Sequence, residues 1–265
     1  MLTPNHRQEI LQLVQKAGAM AREFCRQPEY RKPQQKSDGS PVTPGDLAVS
    51  QFLVEELEPY GFPVVSEEGD LHIEEQGPYF LVDPIDGTKA FVKGEPDYVV
   101  LLALIVEQSP VFGVIAHPEE NNLYHATQGE GACCNGKPLA RKAPQKPYTA
   151  YSSGFHEHSR GQDIIQRFEL GRILKRGSAL KFCGLAQGVA DFFPRWGPTG
   201  EWDTAAGQIL LQESQCSLLD RKTGKPISYG KPKRLNRGFI ACHNDLLPQV
   251  HEFIHMTNQG GSSGQ

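Results

Sequence analysis

The segment Tyr79-Phe-Leu-Val-Asp83-Pro84-Ile85-Asp86-Gly87-Thr88 runs from an apolar strand straight into two acids, a proline, a glycine and a hydroxyl. Strand ends are where α/β-type proteins keep their sites. Pro84 fixes φ in the turn between the acids, so both carboxylates and the carbonyl of Ile85 can converge on one hard cation. Gly87 and Thr88 would then turn backbone N–H groups toward an anion, as nests and helix starts do. The plainer alternative is an Asx-turn in which Asp83 caps its own loop.

Further acids shift that balance. Glu67 and Glu68 stand in Ser66-Glu-Glu-Gly69, at the end of another apolar run. Asp203 stands in Glu201-Trp-Asp-Thr-Ala-Ala-Gly207, before a helix of small residues, and Asp46 falls in the first turn of a helix opened by Thr43-Pro44. Taken singly, these are a solvated turn and ordinary cap residues. If Asp46, Glu67, Asp83, Asp86 and Asp203 meet, each pair at about 4 Å repels by roughly 1 to 4 kcal/mol, for effective dielectrics of about 80 to 20. Such a cluster requires cations. An all-oxygen donor set with no Cys or His beside it points to Mg²⁺ rather than zinc.

Upstream, Ile10, Leu13, Val14, Ala17, Ala21 and Phe24 recur at the spacing of one buried helix face. A polar stretch from Gln27 to Pro41 separates this helix from the second, expected from Pro44 to about Leu57. From Phe62 onward, short apolar runs alternate with turn clusters, and tight turns at Gln108-Ser-Pro110 and Glu119-Glu-Asn121 make antiparallel neighbours of them. Beyond residue 145 the pattern becomes strand, helix, strand, helix. The expected fold class is α/β (α+β). Residues 1–145 carry helices on a largely antiparallel sheet with most of the acids, residues 146–256 an α/β layer with Asp203, and residues 257–265 a flexible polar tail.

The 265 residues include 27 Lys and Arg against 31 Asp and Glu, a formal charge of -4, and 38% are hydrophobic. That balance excludes whole-chain disorder and argues against a nucleic-acid binder with a broad basic surface. No apolar run approaches the roughly 20 residues that span a bilayer, and MLTPNHRQEI lacks the segments of a secretory signal. A cytoplasmic protein is expected, with peripheral association at the cytoplasmic face of the inner membrane left open. The six cysteines form no C-x-x-C pair and read as reduced thiols in the core.

Competing motifs fail on their own terms. An EF-hand loop beginning at Asp83 needs oxygen ligands where Ile85 and Gly87 stand and a Glu where Gly94 stands. A phospho-aspartate phosphatase of the haloacid dehalogenase pattern wants its second acid one position earlier than Asp86. Gly129-Glu-Gly131 has Cys134 where a dinucleotide fingerprint needs its third glycine, and there is no P-loop. Two cations suit a second phosphate, Lys181 in Gly177-Ser-Ala-Leu-Lys-Phe-Cys183 and Arg195 in Phe193-Pro-Arg-Trp-Gly197, although each also reads as solvated surface. His156 and His158 have zinc-like spacing without a third ligand and read as loop surface.

Ser66-Glu-Glu-Gly69, Asp83-Pro-Ile-Asp-Gly-Thr88 and Trp202-Asp-Thr-Ala-Ala-Gly207, in this order, resemble the inositol monophosphatase superfamily of Mg²⁺-dependent, lithium-sensitive phosphatases. Within it, Asp86-Gly-Thr-Lys-Ala-Phe91, Gly177 to Cys183 and Phe193 to Thr199 are similar to the CysQ-type 3′(2′),5′-bisphosphate nucleotidases. The resemblance runs from the first helix to about residue 255. It implies a layered α/β/α/β/α sandwich that hydrolyses adenosine 3′,5′-bisphosphate to AMP and phosphate, with two or three Mg²⁺ per site, recycling a by-product of sulfate assimilation. By motif position it implies Glu67, Asp83, the Ile85 carbonyl, Asp86 and Asp203 as metal ligands. Asp46 and Thr88 would stand beside the attacking water, Glu67 would share in catalysis, and Gly87 and Thr88 would hold the phosphate. Ser178, Lys181 and Arg195, with Asp86 and Asp203, would bind the nucleotide and its second phosphate. Ala90, Ala179 and Gln187 depart from the pattern, and none is an implied metal ligand. The implied partner is a small nucleotide, not a nucleic acid, and no oligomeric state is implied. An inositol or other sugar phosphatase, and a catalytically silent metal- or nucleotide-sensing module, stay open as alternatives.

Overall fold

A threonine followed by a proline opens each of the first two helices. Thr3 accepts from the His6 N–H at the start of α1 (Pro4–Cys25). The polar stretch after it carries the short antiparallel pair β1 (Gln34–Gln35) and β2 (Pro41–Val42). Thr43 then opens α2 (Pro44–Leu57) with a full capping box, its side chain taking the Asp46 N–H while Asp46 takes the Thr43 N–H. The structure, a computed structural model, describes residues 2–36, 39–69, 77–152 and 161–259. His156 and His158 lie outside the described residues.

Seven strands follow in chain order across one sheet: β3 (Val64–Ser66), β4 (Tyr79–Asp86), β5 (Val99–Val106), β6 (Ser109–His117), β7 (Asn122–Thr127), β8 (Gly131–Cys134) and β9 (Lys137–Pro138). β3 and β4 pair in parallel, and the later neighbours are antiparallel. β5 shows why the sheet is covered on both faces. Val99, Leu101, Ala103 and Ile105 enter one core while Val100, Leu102 and Leu104 enter another, as the two-residue period of a strand dictates. The sequence pattern ends its strand at Val82, whereas β4 continues to Asp86 through a bulge. Asp83 faces Leu101 and Asp86 faces Val99, so β4 carries one extra residue. Pro84 sits in that bulge, where it has no ladder N–H to lose. The short helix α3 (Thr88–Lys93) begins directly after Gly87.

The rest of the chain alternates: β10 (Tyr148–Tyr151), α4 (Gly161–Arg167), β11 (Leu170–Leu174), α5 (Leu180–Gln187), β12 (Phe192–Arg195), β13 (Thr199–Gly200), α6 (Ala205–Gln212), β14 (Cys216–Asp220), β15 (Leu235–Asn236), β16 (Phe239–His243) and α7 (Leu247–Gln259). A second sheet has the order β11-β10-β12-β16-β14, while β13 and β15 form a separate pair. β10 pairs in parallel with β11 and β12, which the helical crossovers α4 and α5 make possible. Helix α7 continues to Gln259, into the segment read as tail.

Helices and sheets therefore stack as α/β/α/β/α. α1 and α2 cover one face of the first sheet, α5 and α6 fill the space between the sheets, and α4 and α7 cover the outer face of the second. Phe182, Phe193 and Phe239 meet in the central layer with ring centroids 5.3 to 5.7 Å apart. The cysteines are unpaired, and Cys25, Cys183, Cys216 and Cys242 are buried. Helix α6 lies against β5, β6 and β7 because Gly113 admits it. A Cβ there would lie 2.5 Å from Ile209 Cγ2 and 3.0 Å from Ala206 Cα. Gly113→Ala should therefore cost about 1–3 kcal/mol by overpacking. Urea unfolding should show a lower midpoint at unchanged m-value, and an unmoved midpoint would mean that α6 has room to slide.

Candidate active site

Three separate segments deliver acids to one point. Asp83 ends the regular part of β4 and is buried, and its Oδ1 accepts the Ile85 N–H at 3.1 Å. Glu67 follows β3, and its N–H bonds to Val82 O at 3.0 Å, so the parallel pairing of β3 with β4 carries it alongside Asp83. Asp203 precedes α6 and accepts the Gly200 N–H at 2.8 Å. Its neighbour Glu201 is wholly buried, taking the N–H groups of Gly230 and Lys231 at 3.0 Å each and Arg234 at 3.4 Å. That bonding anchors the turn that carries Asp203. One carboxylate oxygen from each of Glu67, Asp83 and Asp203 lies within 4.8 Å of the others. Oxygens bound at about 2.0–2.6 Å to one hard cation are separated by up to about 5 Å, so the donor set fits a divalent ion.

The electrostatics of this cluster say the same. Burial, then the charges of Glu67, Asp86 and Asp203, push the Asp83 carboxyl well above the usual range. Burial and the charges of Asp86 and Glu67 raise Asp203 to about 8. Asp86 rises to about 6 through burial, held there by the charge of Lys181 and by the Ala179 N–H that it accepts. Burial likewise raises Asp46 to about 6, against the bonds from Thr43. Acids that resist ionisation in one place hold protons until a cation replaces them.

Beside the cluster, the capping box fixes Asp46 by one oxygen. Its Oδ2 accepts the Thr43 N–H at 2.8 Å and the Thr43 hydroxyl at 2.5 Å, while Oδ1 lies 3.5 Å from Thr88 Oγ1. The Thr88 hydroxyl is also 3.3 Å from the Ile85 carbonyl oxygen. Between them Gly87 adopts φ +98°, where a Cβ would lie 2.6 Å from the Asp97 carbonyl oxygen. Only glycine fits that turn.

On the other side of Asp86, Ser178, Lys181, Phe193, Arg195 and Thr199 line a cavity of about 130 Å³. Ser178 is a non-glycine residue at φ +45°, the left-handed conformation that delivers the next N–H to Asp86. Lys181 donates to Ser178 O at 2.7 Å and Arg176 O at 3.3 Å and lies over the Phe193 ring. Burial lowers it to about 8. Arg195 donates to Pro198 O at 3.5 Å.

Residues 6–257 match the inositol monophosphatase family. The chain belongs to the inositol monophosphatase family. A curated relative, the 3′(2′),5′-bisphosphate nucleotidase CysQ of Shigella flexneri, is 34% identical over 212 residues, covering 77% of this chain and 86% of that protein. The CysQ of Salmonella typhimurium is 32% identical over 88% of this chain and 97% of its own. The crystal structure of CysQ from Bacteroides thetaiotaomicron, a bacterial member of the inositol monophosphatase family, superposes with a TM-score of 0.75 at 28% identity, covering 89% of this chain and 98% of that one. Inositol monophosphatase family enzymes are metal-dependent, in keeping with the acid cluster.

One residue of this family member escaped the sequence reading. Lys36, between β1 and β2, reaches Glu67 at 3.0 Å and Glu68 at 2.7 Å. It supplies a cation to the acidic turn from a polar stretch that carries no pattern of its own. Glu68 is still raised to about 7, chiefly by burial. Among the described residues, no helix is long and apolar enough to cross a membrane.

The raised acids set a pH rule for the fold. Each favours the folded state when protonated, so the stability it contributes is complete below its unfolded value near about 4. It is lost as pH rises through about 6 for Asp46 and Asp86 and about 8 for Asp203. In EDTA at pH 8, Asp83→Asn should raise Tm by about 2–4 °C, the shift that about 1 kcal/mol gives in a chain of this size. Excess Mg²⁺ should reverse the order of the two proteins, because the parental cluster gains the binding free energy. A variant that melts lower in EDTA would remove the repulsion from the account.

Proposed function

We propose that this protein is a Mg²⁺-dependent 3′(2′),5′-bisphosphate nucleotidase that hydrolyses adenosine 3′,5′-bisphosphate to AMP and phosphate. The observation that carries the reading is the convergence of Glu67, Asp83 and Asp203 within one cation's reach, with Asp46 and Thr88 beside them. The names borne by the CysQ relatives support the substrate. In this reading Glu67, Asp83, the Ile85 carbonyl, Asp86 and Asp203 hold the metal, and the all-oxygen set favours Mg²⁺. When bound, divalent cations supply positive charge that acidifies a water and neutralises the leaving oxygen.

The chain's own groups do the rest. Gly87 and Thr88 turn their amides to the phosphate and orient it for in-line attack. The Thr88 hydroxyl takes the proton of the attacking water as it gives its own to Asp46 Oδ1. A base raised to about 6 suits that transfer near neutral pH. The nucleoside lies toward the cavity of Ser178, Lys181 and Arg195. Lys181 holds the Arg176 and Ser178 carbonyls and balances Asp86, leaving Arg195 to receive the second phosphate. Residues 1–145 thus bring the phosphate-cleaving groups, and residues 146–256 bring Asp203 and the nucleotide-binding groups. Such an activity would recycle a by-product of sulfate assimilation.

Phosphate release from adenosine 3′,5′-bisphosphate should exceed that from inositol 1-phosphate, require Mg²⁺ and stop in EDTA. Preference for the inositol ester would keep the metal site and replace the substrate; nucleotide binding without turnover would make the chain a sensor. Asp83→Asn should lower kcat by at least about 10²–10³-fold, the usual loss when one electrostatic stabiliser is removed. Arg195→Gln should raise KM for the bisphosphate by about tenfold more than for adenosine 2′-monophosphate, which lacks the second phosphate. Equal effects on both would take Arg195 out of second-phosphate recognition.

A further inference from the structure

An open cleft of about 550 Å³ shares Gly87, Thr88 and Ser178 with the candidate site, is lined by none of Asp46, Glu67, Asp83, Asp86 or Asp203, and has other lining residues that the mechanism leaves unused. Its walls are the start of α3 and the segment from Lys175 to Ser178. Two glycines let these walls meet over Asp97. A Cβ on Gly87 would lie 3.3 Å from Ser178 Cβ, and one on Gly177 would lie 2.8 Å from Asp97 Cβ.

The charges lining the cleft do not cancel. Asp97 accepts the Gly177 N–H at 2.6 Å and pairs with Arg176 at 3.4 Å, which also reaches Glu120 at 3.1 Å. Glu95 is answered by Lys93 at 3.9 Å. Lys89 and Lys175, one on each wall, are exposed and form no ion pair among the described residues. Two ammonium charges are left over in a chain whose formal charge is -4. A phosphate dianion, with a charge of about −1.5 to −2 at pH 7, complements that pair.

We propose that this cleft is a second phosphate site, flanking the hydrolytic centre on the Thr88 side, with Lys89 and Lys175 as its cations. The proposal rests on the phosphatase reading, which puts a phosphate at Thr88. With the acids neutralised by bound cations during turnover, the lysines supply the unbalanced charge on the Thr88 side, and a phosphate freed there is drawn along the cleft. The same dianion has two sources. One is inorganic phosphate leaving as product, and the other is a further phosphate on an extended substrate.

Lys89→Gln, Lys175→Gln and the double variant test this, since both residues are exposed. First, the chain carrying Arg195→Gln is titrated in EDTA with inorganic phosphate at constant ionic strength and followed by ³¹P line broadening. Without Mg²⁺ and without the Arg195 receptor, binding reports on the cleft. This protein should bind, and the same protein with both lysines replaced should bind about tenfold more weakly, as the loss of about 1.4 kcal/mol requires. No binding by the first protein, or equal binding by both, would overturn the site.

Turnover with Mg²⁺ then identifies the source. A raised Ki for inorganic phosphate, with kcat/KM unchanged for bisphosphate and monophosphate alike, supports the product. A loss of kcat/KM confined to a nucleoside 3′-phosphate that carries a 5′-diphosphate, and so one phosphate more than the bisphosphate, supports an extended substrate's own phosphate. If the parental enzyme turns over no ester, the phosphatase reading fails while the titration still decides the cleft.

Discussion

Mutual repulsion among buried carboxylates is the constraint around which this molecule is organised. Asp83 is buried within reach of Glu67, Asp86 and Asp203, and their charges raise its affinity for protons, as those of Asp86 and Glu67 raise that of Asp203. No local preference of the chain would assemble such a group. It persists because apolar cores on both faces of β4 and β5 over-determine where the strand ends lie. The penalty is local and the compensation is spread through the sheets.

The acids also tie the two sheets together. Glu67 and Asp83 belong to the first sheet, whereas Asp203 arrives from the second half of the chain, on the turn before α6. Helix α6 nevertheless packs on the strands of the first sheet. Buried Glu201 pins the same turn through Arg234 and the backbone at Gly230 and Lys231. The cluster's geometry is thus set by packing contacts made by residues that never touch it.

How much of this was legible in the sequence follows from the range of each signal. Asp83 and Asp86 were legible because an apolar run collides with acids, and Asp46 because Thr-Pro-Gly-Asp is a helix start. The alternation of β5 and the face of α1 are periodic and needed nothing else. The bulge at Pro84 and Ile85 was not legible, since a bulge is a relation between two strands. Strands β14 and β16 also went unread, because runs as short as Cys216–Asp220 and Phe239–His243 carry too few periods to stand out. Lys36 was invisible for a related reason. A polar loop has no pattern that tells which cation will meet an acid thirty residues on. Lys181 was read as a cation near a phosphate, while its bonds to the Ser178 and Arg176 carbonyls emerge only from the turn's three-dimensional course.

The capping box of α2 has a further consequence. Because Thr43 occupies Asp46 Oδ2, the carboxylate offers a single free oxygen, aimed at Thr88. In the proposed mechanism that oxygen is the base, preorganised by a helix terminus, and little reorganisation would accompany proton transfer. The same turn is also protected. Thr43, Gly45 and Asp46 are buried, with Gly45 pressed so closely on Phe91 that a Cβ would lie 2.8 Å from its ring, and a helix end packed in this way does not fray as an exposed one does. The aim of that carboxylate is therefore held by the same core that holds the sheet, and warming would take both together.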